Sequence, residues 1–148
     1  MTSVPAKLAW VAAMSIVSLA HGQVPNPQKA PGALKAERCG PGTCTITVNV
    51  LNCNEPSGVR IDKPLVRFDD SALIVWKIDS AGQAFEEIGV RIAGDDPSEP
   101  VFQIQPASLP NEFRILNRNS VMGEFDYRYT LQIKGCKPIE GWIRNVAL

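Results

Sequence analysis

Nine consecutive residues near the end of the chain, 125–133 (FDYRYTLQI), alternate without a break between apolar and polar side chains. Phe125, Tyr127, Tyr129, Leu131 and Ile133 share one parity; Asp126, Arg128, Thr130 and Gln132 share the other. Successive strand side chains point to opposite faces, so this run makes a strand with one dry face and one wet face. The same reading extends upstream. Residues 45–51 (TITVNVL) put Ile46, Val48 and Val50 on one face. Val59 and Ile61 start a short strand that ends at Pro64, and 65–68 follow as another. Residues 72–78 (ALIVWKI) place Ile74, Trp76 and Ile78 on one face, with Leu73 and Val75 on the other, as in a central strand covered on both sides. Ile88, Val90 and Ile92 alternate, as do Phe102 with Ile104 and Phe113 with Ile115. Between these runs stand turn sequences, Ser80-Ala81-Gly82 and Gly94-Asp95-Asp96-Pro97. No sustained helical period follows residue 22. The pattern predicts an all-β sandwich of immunoglobulin or cupredoxin type with about seven to nine strands. Trp76, Tyr127 and Tyr129 are expected in its core. A last run, 142–146, is expected as a terminal edge strand or a covering segment. Trp142 would close the bottom of the core or, failing that, make a partly exposed contact.

The first residues follow a different logic. Lys7 precedes the apolar run 8–20 (LAWVAAMSIVSLA), and Ala20-His21-Gly22 places small residues at the −3 and −1 positions of a cleavage site before Gln23. Residues 1–22 read as a secretory signal peptide, too short to span a bilayer, which needs about 20 apolar residues. Residues 23–38, rich in proline and without apolar period, read as a flexible tail, and 39–148 as the β-sandwich domain. The expected location is periplasmic or secreted, with no membrane insertion once the signal is removed.

Cleavage would also change the available chemistry. Lys+Arg and Asp+Glu balance at 15 each over the whole chain, which argues against nucleic acid as a partner. The only histidine is His21, and the only methionine beyond residue 22 is Met122. A mature chain without imidazole cannot carry a Ser–His–Asp or Cys–His pair, a blue-copper site or a histidine zinc site. No catalytic residue, metal ligand or cofactor is therefore assigned. Carboxylates remain. Asp69-Asp70 and Asp95-Asp96 fall in predicted loops, where paired oxygens suit calcium or, in a cleft with opposed environments, a hydrolase. Glu86 and Glu87 are adjacent on a strand and so diverge unless a bulge intervenes. Basic residues are scattered singly among acids, as on a mixed soluble surface.

Cys39, Cys44, Cys53 and Cys136 all lie beyond the signal, an even number in an exported chain, and imply disulfides. Three pairings exist for four cysteines. Cys39–Cys44 closes the short loop CGPGTC, and Cys53–Cys136 ties the end of the first strand to the end of the last long one; this pairing is the favoured one. In a chain-entropy account the long link contributes about 4–5 kcal/mol and the short one about 2.

The order Ile74-x-Trp76-x-Ile78, Phe85, Ile88-x-Val90-x-Ile92, Phe102, Phe113, Tyr127-x-Tyr129-x-Leu131 resembles that of small exported bacterial β-sandwich proteins of the DP-EP family. That family tends to close on an Asp-Pro-x-Ile-x-Asn-like ending. Here Glu140-Gly141-Trp142-Ile143-Arg144-Asn145 keeps Ile-x-Asn and departs at Asp-Pro. The resemblance spans about residues 45–146 and implies a fold and an exported location, with no catalytic residue. The function expected is a non-catalytic module that binds a protein or cell-envelope component or serves as a structural part. The alternatives are a carboxylate-based hydrolase and a periplasmic inhibitor of a foreign enzyme, which would present a rigid loop.

Overall fold

A computed structural model describes residues 28–107 and 109–148. The signal expected over 1–22, and 23–27 of the tail, lie outside them. Among the described residues ten strands form two five-stranded sheets. In chain order they are β1 Glu37–Cys39, β2 Gly42–Val50, β3 Val59–Ile61, β4 Leu65–Phe68, β5 Ala72–Ile78, β6 Phe85–Ala93, β7 Phe102–Gln105, β8 Glu112–Asn117, β9 Gly123–Ile133 and β10 Ile139–Ala147. One sheet runs β1-β4-β10-β9-β6, the other β3-β2-β5-β8-β7. Both are mixed: β4 is parallel to β1 and β10, and β2 is parallel to β5. Among the described residues no helix is long and apolar enough to cross a membrane.

The alternating parities become the core. Ile46, Val48, Ile74, Trp76 and Ile78 from one sheet meet Val66, Phe68, Tyr129, Leu131 and Ile143 from the other. Trp76 and Tyr129 are fully buried and meet edge-on with ring centroids 5.2 Å apart, a geometry worth about 0.5–1.5 kcal/mol beyond the area it dries. Burial raises the Tyr129 phenol above its ordinary pKa. The ring fits because its cross-strand neighbour is Gly141, where a Cβ would overlap Tyr129 Oη. β5 is central in its sheet, as its apolar character on both faces implied; outward-facing Val75 is buried with Arg114 opposite it in register.

One polar cluster interrupts the dry interior. Asn117 and Asn145 exchange amide hydrogen bonds at 2.7 and 2.9 Å, linking β8 to β10 across the two sheets. Asn117 Oδ1 also accepts from the backbone N–H of Asn119 at 3.1 Å. Asn119 itself sits at φ +46°, a left-handed conformation that asparagine tolerates better than most residues. Its amide reaches the carbonyls of Phe68 and Val146. The loop after β8 is thereby pinned to both sheets.

Two expectations change. β10 is not a terminal edge: it lies between β4 and β9 and pairs with both. Trp142 does not close the core. Gly141, Ile143 and Asn145 hold the inward parity, so Trp142 is placed on the outer face, half-buried. Ordered contacts also reach back into the segment read as tail. Glu37 and Arg38 belong to β1, and buried Ala30 donates its N–H to Asp126 Oδ2 at 2.7 Å. Since Asp126 is on β9 and β1 lies at the far edge, residues 30–36 cross the outer face over β10 and β4. Leu65, which faces outward beside Trp142 in register, is only 2% exposed. Asp126 is held from below by Arg144, Nε to Oδ1 at 2.7 Å and Nη2 to Oδ2 at 2.9 Å.

Both disulfides form as expected, Cys39–Cys44 and Cys53–Cys136. The first spans the break at Gly40-Pro41-Gly42, where the chain leaves one sheet for the other, and so bolts β1 to β2. The second joins the loop after β2 to the loop after β9.

Candidate functional site

The two long sides of the sandwich differ. On one, edge strands β1 and β3 are closed off: Cys39–Cys44 crosses between the sheets, and Val59 and Ile61 pack on the core. On the other, β6 and β7 are the last strands of their sheets among the described residues. There Phe85 of β6 meets Phe113 of β8 with centroids 6.1 Å apart, and Phe102 of β7 meets Tyr127 of β9 at 4.9 Å. The edges are thus offset, and β6 lies over β8 rather than over β7.

Ile104 carries the consequence. In register it stands beside Ile115, which is 2% exposed, and so faces inward with Phe102 and Asn117. Yet Ile104 is 64% exposed. Alternation placed it in phase with Phe102 and went no further. The structure keeps its inward parity but leaves it uncovered, because the opposite sheet stops short.

β6 departs from simple alternation too. Phe85 pairs with Ile133 and Val90 with Leu131, so Glu86 to Gly89 stand opposite the single residue Gln132. This bulge turns Glu86, Glu87 and Ile88 to solvent, and Ile88 does not join Val90 in the core. Gly89 makes the bulge fit, since a Cβ there would lie 2.6 Å from Phe85 Cβ and 2.9 Å from Phe113 Cδ2. The intervening bulge therefore removes the strand argument against Glu86 and Glu87 sharing a surface, and both are exposed on this flank.

The loop joining β6 to β7 is built by its acids. Asp95 accepts from the N–H of Val101 at 2.8 Å and of Phe102 at 3.3 Å. Burial pushes its carboxyl above the ordinary range, against the pull of those two bonds. Asp96 accepts from the Ser98 hydroxyl at 2.7 Å and N–H at 2.8 Å, which hold its carboxyl low. By capping Phe102, Asp95 also removes one free donor from the β7 edge. A four-residue β7 and a bulged β6 are poor templates for another strand, so the flank presents side chains more than ladder hydrogen bonds. Glu86, Glu87, Asp96 and Glu99 are all exposed, and none has an ion-pair partner among the described residues.

Of the other expected carboxylates, Asp69 ties the end of β4 to β1. Asp69 pairs with Arg67 at 2.9 Å and Arg38 at 2.5 Å; the Arg67 hydrogen bond above all holds its carboxyl low, assisted by the Arg38 charge. Asp70 is exposed. Among the described residues no group of three or more His, Cys, Asp or Glu is placed to hold a metal ion. A shallow hollow of about 550 Å³ lies at the β5–β6 turn, near Ser80 and Asn111. Two of its polar side chains are occupied: Ser80 Oγ accepts from Val50 N–H, and Asn111 Nδ2 donates to the Ile78 carbonyl.

The molecule is a β-sandwich of two mixed sheets with two disulfides. No known protein family matches the chain, and no curated protein matches it. Among solved structures it is similar to a rusticyanin, at 15% identity and a TM-score of 0.36, over 81% of this chain and 85% of that one.

Proposed function

We propose that this chain is an exported, non-catalytic binding module that engages a protein of the cell envelope through the flank between β6 and β7. The observation that carries the reading is Ile104, an inward-facing core position left open to solvent at the sandwich edge. An apolar side chain from a partner would complete the packing that the second sheet does not supply, and anchors of that kind dominate binding energies. Two disulfides fit an oxidising compartment, and the expected signal over 1–22 and the DP-EP resemblance support the same placement. Asp95 and Asp96 are engaged in closing their loop and Asp69 in ion pairs with Arg67 and Arg38, which favours binding over acid–base chemistry.

Affinity capture from envelope extracts tests this, using wild type, Ile104→Ser and Leu51→Ser. Leu51 is an equally exposed apolar residue at the end of β2, away from the flank, at 70% exposure. The expected result is a set of proteins captured by wild type and Leu51→Ser and lost with Ile104→Ser. Identical capture by all three would overturn the proposal.

A further inference from the structure

The flank has a charge pattern as well as an apolar centre. Glu86 and Glu87 stand on the β6 bulge, and Asp96 and Glu99 in the loop between β6 and β7. All four are exposed, and none is neutralised by a basic side chain among the described residues. Elsewhere six acids are ion-paired, while Glu37, Glu55, Asp70 and Asp79 are exposed and scattered singly without an ion-pair partner among the described residues. On the outer face of the sheet containing β9 and β10, Arg144 meets Glu124 and Asp126, and Arg128 meets Glu140. On the second sheet Arg114 meets Glu112. Residues 86–99 hold the densest run of unpaired acid, with Arg91 the one basic residue among them, itself exposed and without an ion-pair partner among the described residues; Ile88 in this run and Ile104 on edge strand β7 are 49% and 64% exposed.

We infer that the partner presents a cationic segment: apolar side chains flanked by lysine or arginine, the former seated against Ile104 and Ile88, the latter meeting the carboxylates on either side. This rests on the reading of the flank as the binding surface and specifies what it selects. An acidic or neutral apolar segment would gain the same contact but meet repulsion or no attraction at the rim, so the carboxylates confer selectivity. Backbone pairing plays a small part, because the bulge and Asp95 blunt both edges. Recognition is therefore by side chains, and its charged component is screened by salt.

The test uses the mature chain and two labelled hexapeptides, each with a central pair of isoleucines, one with two lysines at each end and one with two glutamates at each end. Fluorescence anisotropy is read at about 0.05 M and about 0.5 M salt. The lysine peptide is expected to bind saturably, at least about tenfold more tightly than the glutamate peptide, and to weaken at least about fivefold in high salt. Glu86→Gln/Glu87→Gln/Glu99→Gln should reproduce that weakening without changing the melting temperature, and Ile104→Ser should abolish binding. Equal binding of both peptides, insensitivity to salt and to the glutamine variant, or no saturable binding below about 1 mM would each overturn the cationic assignment. If that assignment fails while Ile104→Ser still loses the captured envelope proteins, the flank stands as the binding surface with a different partner chemistry. If Ile104→Ser leaves capture unchanged, the surface itself is wrong.

Discussion

Asn117 carries more than its own weight because three polar groups depend on it. Replacing it with alanine leaves both ends of the Asn145 amide and the Asn119 N–H buried without their partner. Each orphaned group costs about 1–3 kcal/mol, so Asn117→Ala should lose about 3 kcal/mol or more in urea unfolding; a loss below about 0.5 kcal/mol would contradict the role given to the pair. Gly141→Ala meets Tyr129 instead, and overpacking of this kind costs about 1–3 kcal/mol. Asp126 gives a pH signature. Burial alone would raise its carboxyl, but the Arg144 and Ala30 hydrogen bonds and the Arg144 and Lys29 charges outweigh it and hold the group below the ordinary aspartate value. A carboxylate depressed in the fold adds stability above its unfolded pKa, about 3.9, and that stability is lost as pH falls through the folded value. Asp126→Asn should therefore be less stable than wild type by about 1–2 kcal/mol near neutrality, with the gap closing below about pH 4. Chemical denaturation at stepped pH would show this; a gap constant down to about pH 2 would contradict it.

At the scale of the element, the two staples constrain very different lengths of chain. Cys53–Cys136 closes a sequence separation of 83 and Cys39–Cys44 one of 5. Replacing both cysteines of the long link with serine should cost about 4–5 kcal/mol and of the short one about 2 in the chain-entropy account; equal losses would show that the links act through the native state. Most strands were readable, β9 from parity because one dry face imposes period two, and β4 and β5 to the residue from short apolar runs bounded by turn residues. What parity does not encode is neighbourhood. Trp142 had to face away from Ile143, but nothing local revealed that β10 would insert between β4 and β9. The β6 bulge was equally hidden, since Ile88-x-Val90-x-Ile92 reads as unbroken alternation, and only Gly89 between them hints at a close approach. β1 is three residues long and has no pattern to read.

For the whole molecule, the β-sandwich and its two disulfides follow from sequence, while the flank does not. Ile104 looks like any core isoleucine, and its exposure depends on where the opposite sheet ends, a property of the assembled layers. Leu65 is the mirror case, an outward residue dried beneath a segment that composition marked as a tail. The proposed binding function rests on that asymmetry between a side bolted by Cys39–Cys44 and a side left open. The most direct test is hydrogen exchange of the chain alone and in complex with a captured partner. New protection is expected in residues 85–105, with the outer face of β9 and β10 unchanged. Protection confined to residues 124–130 and 140–146 would contradict the proposal.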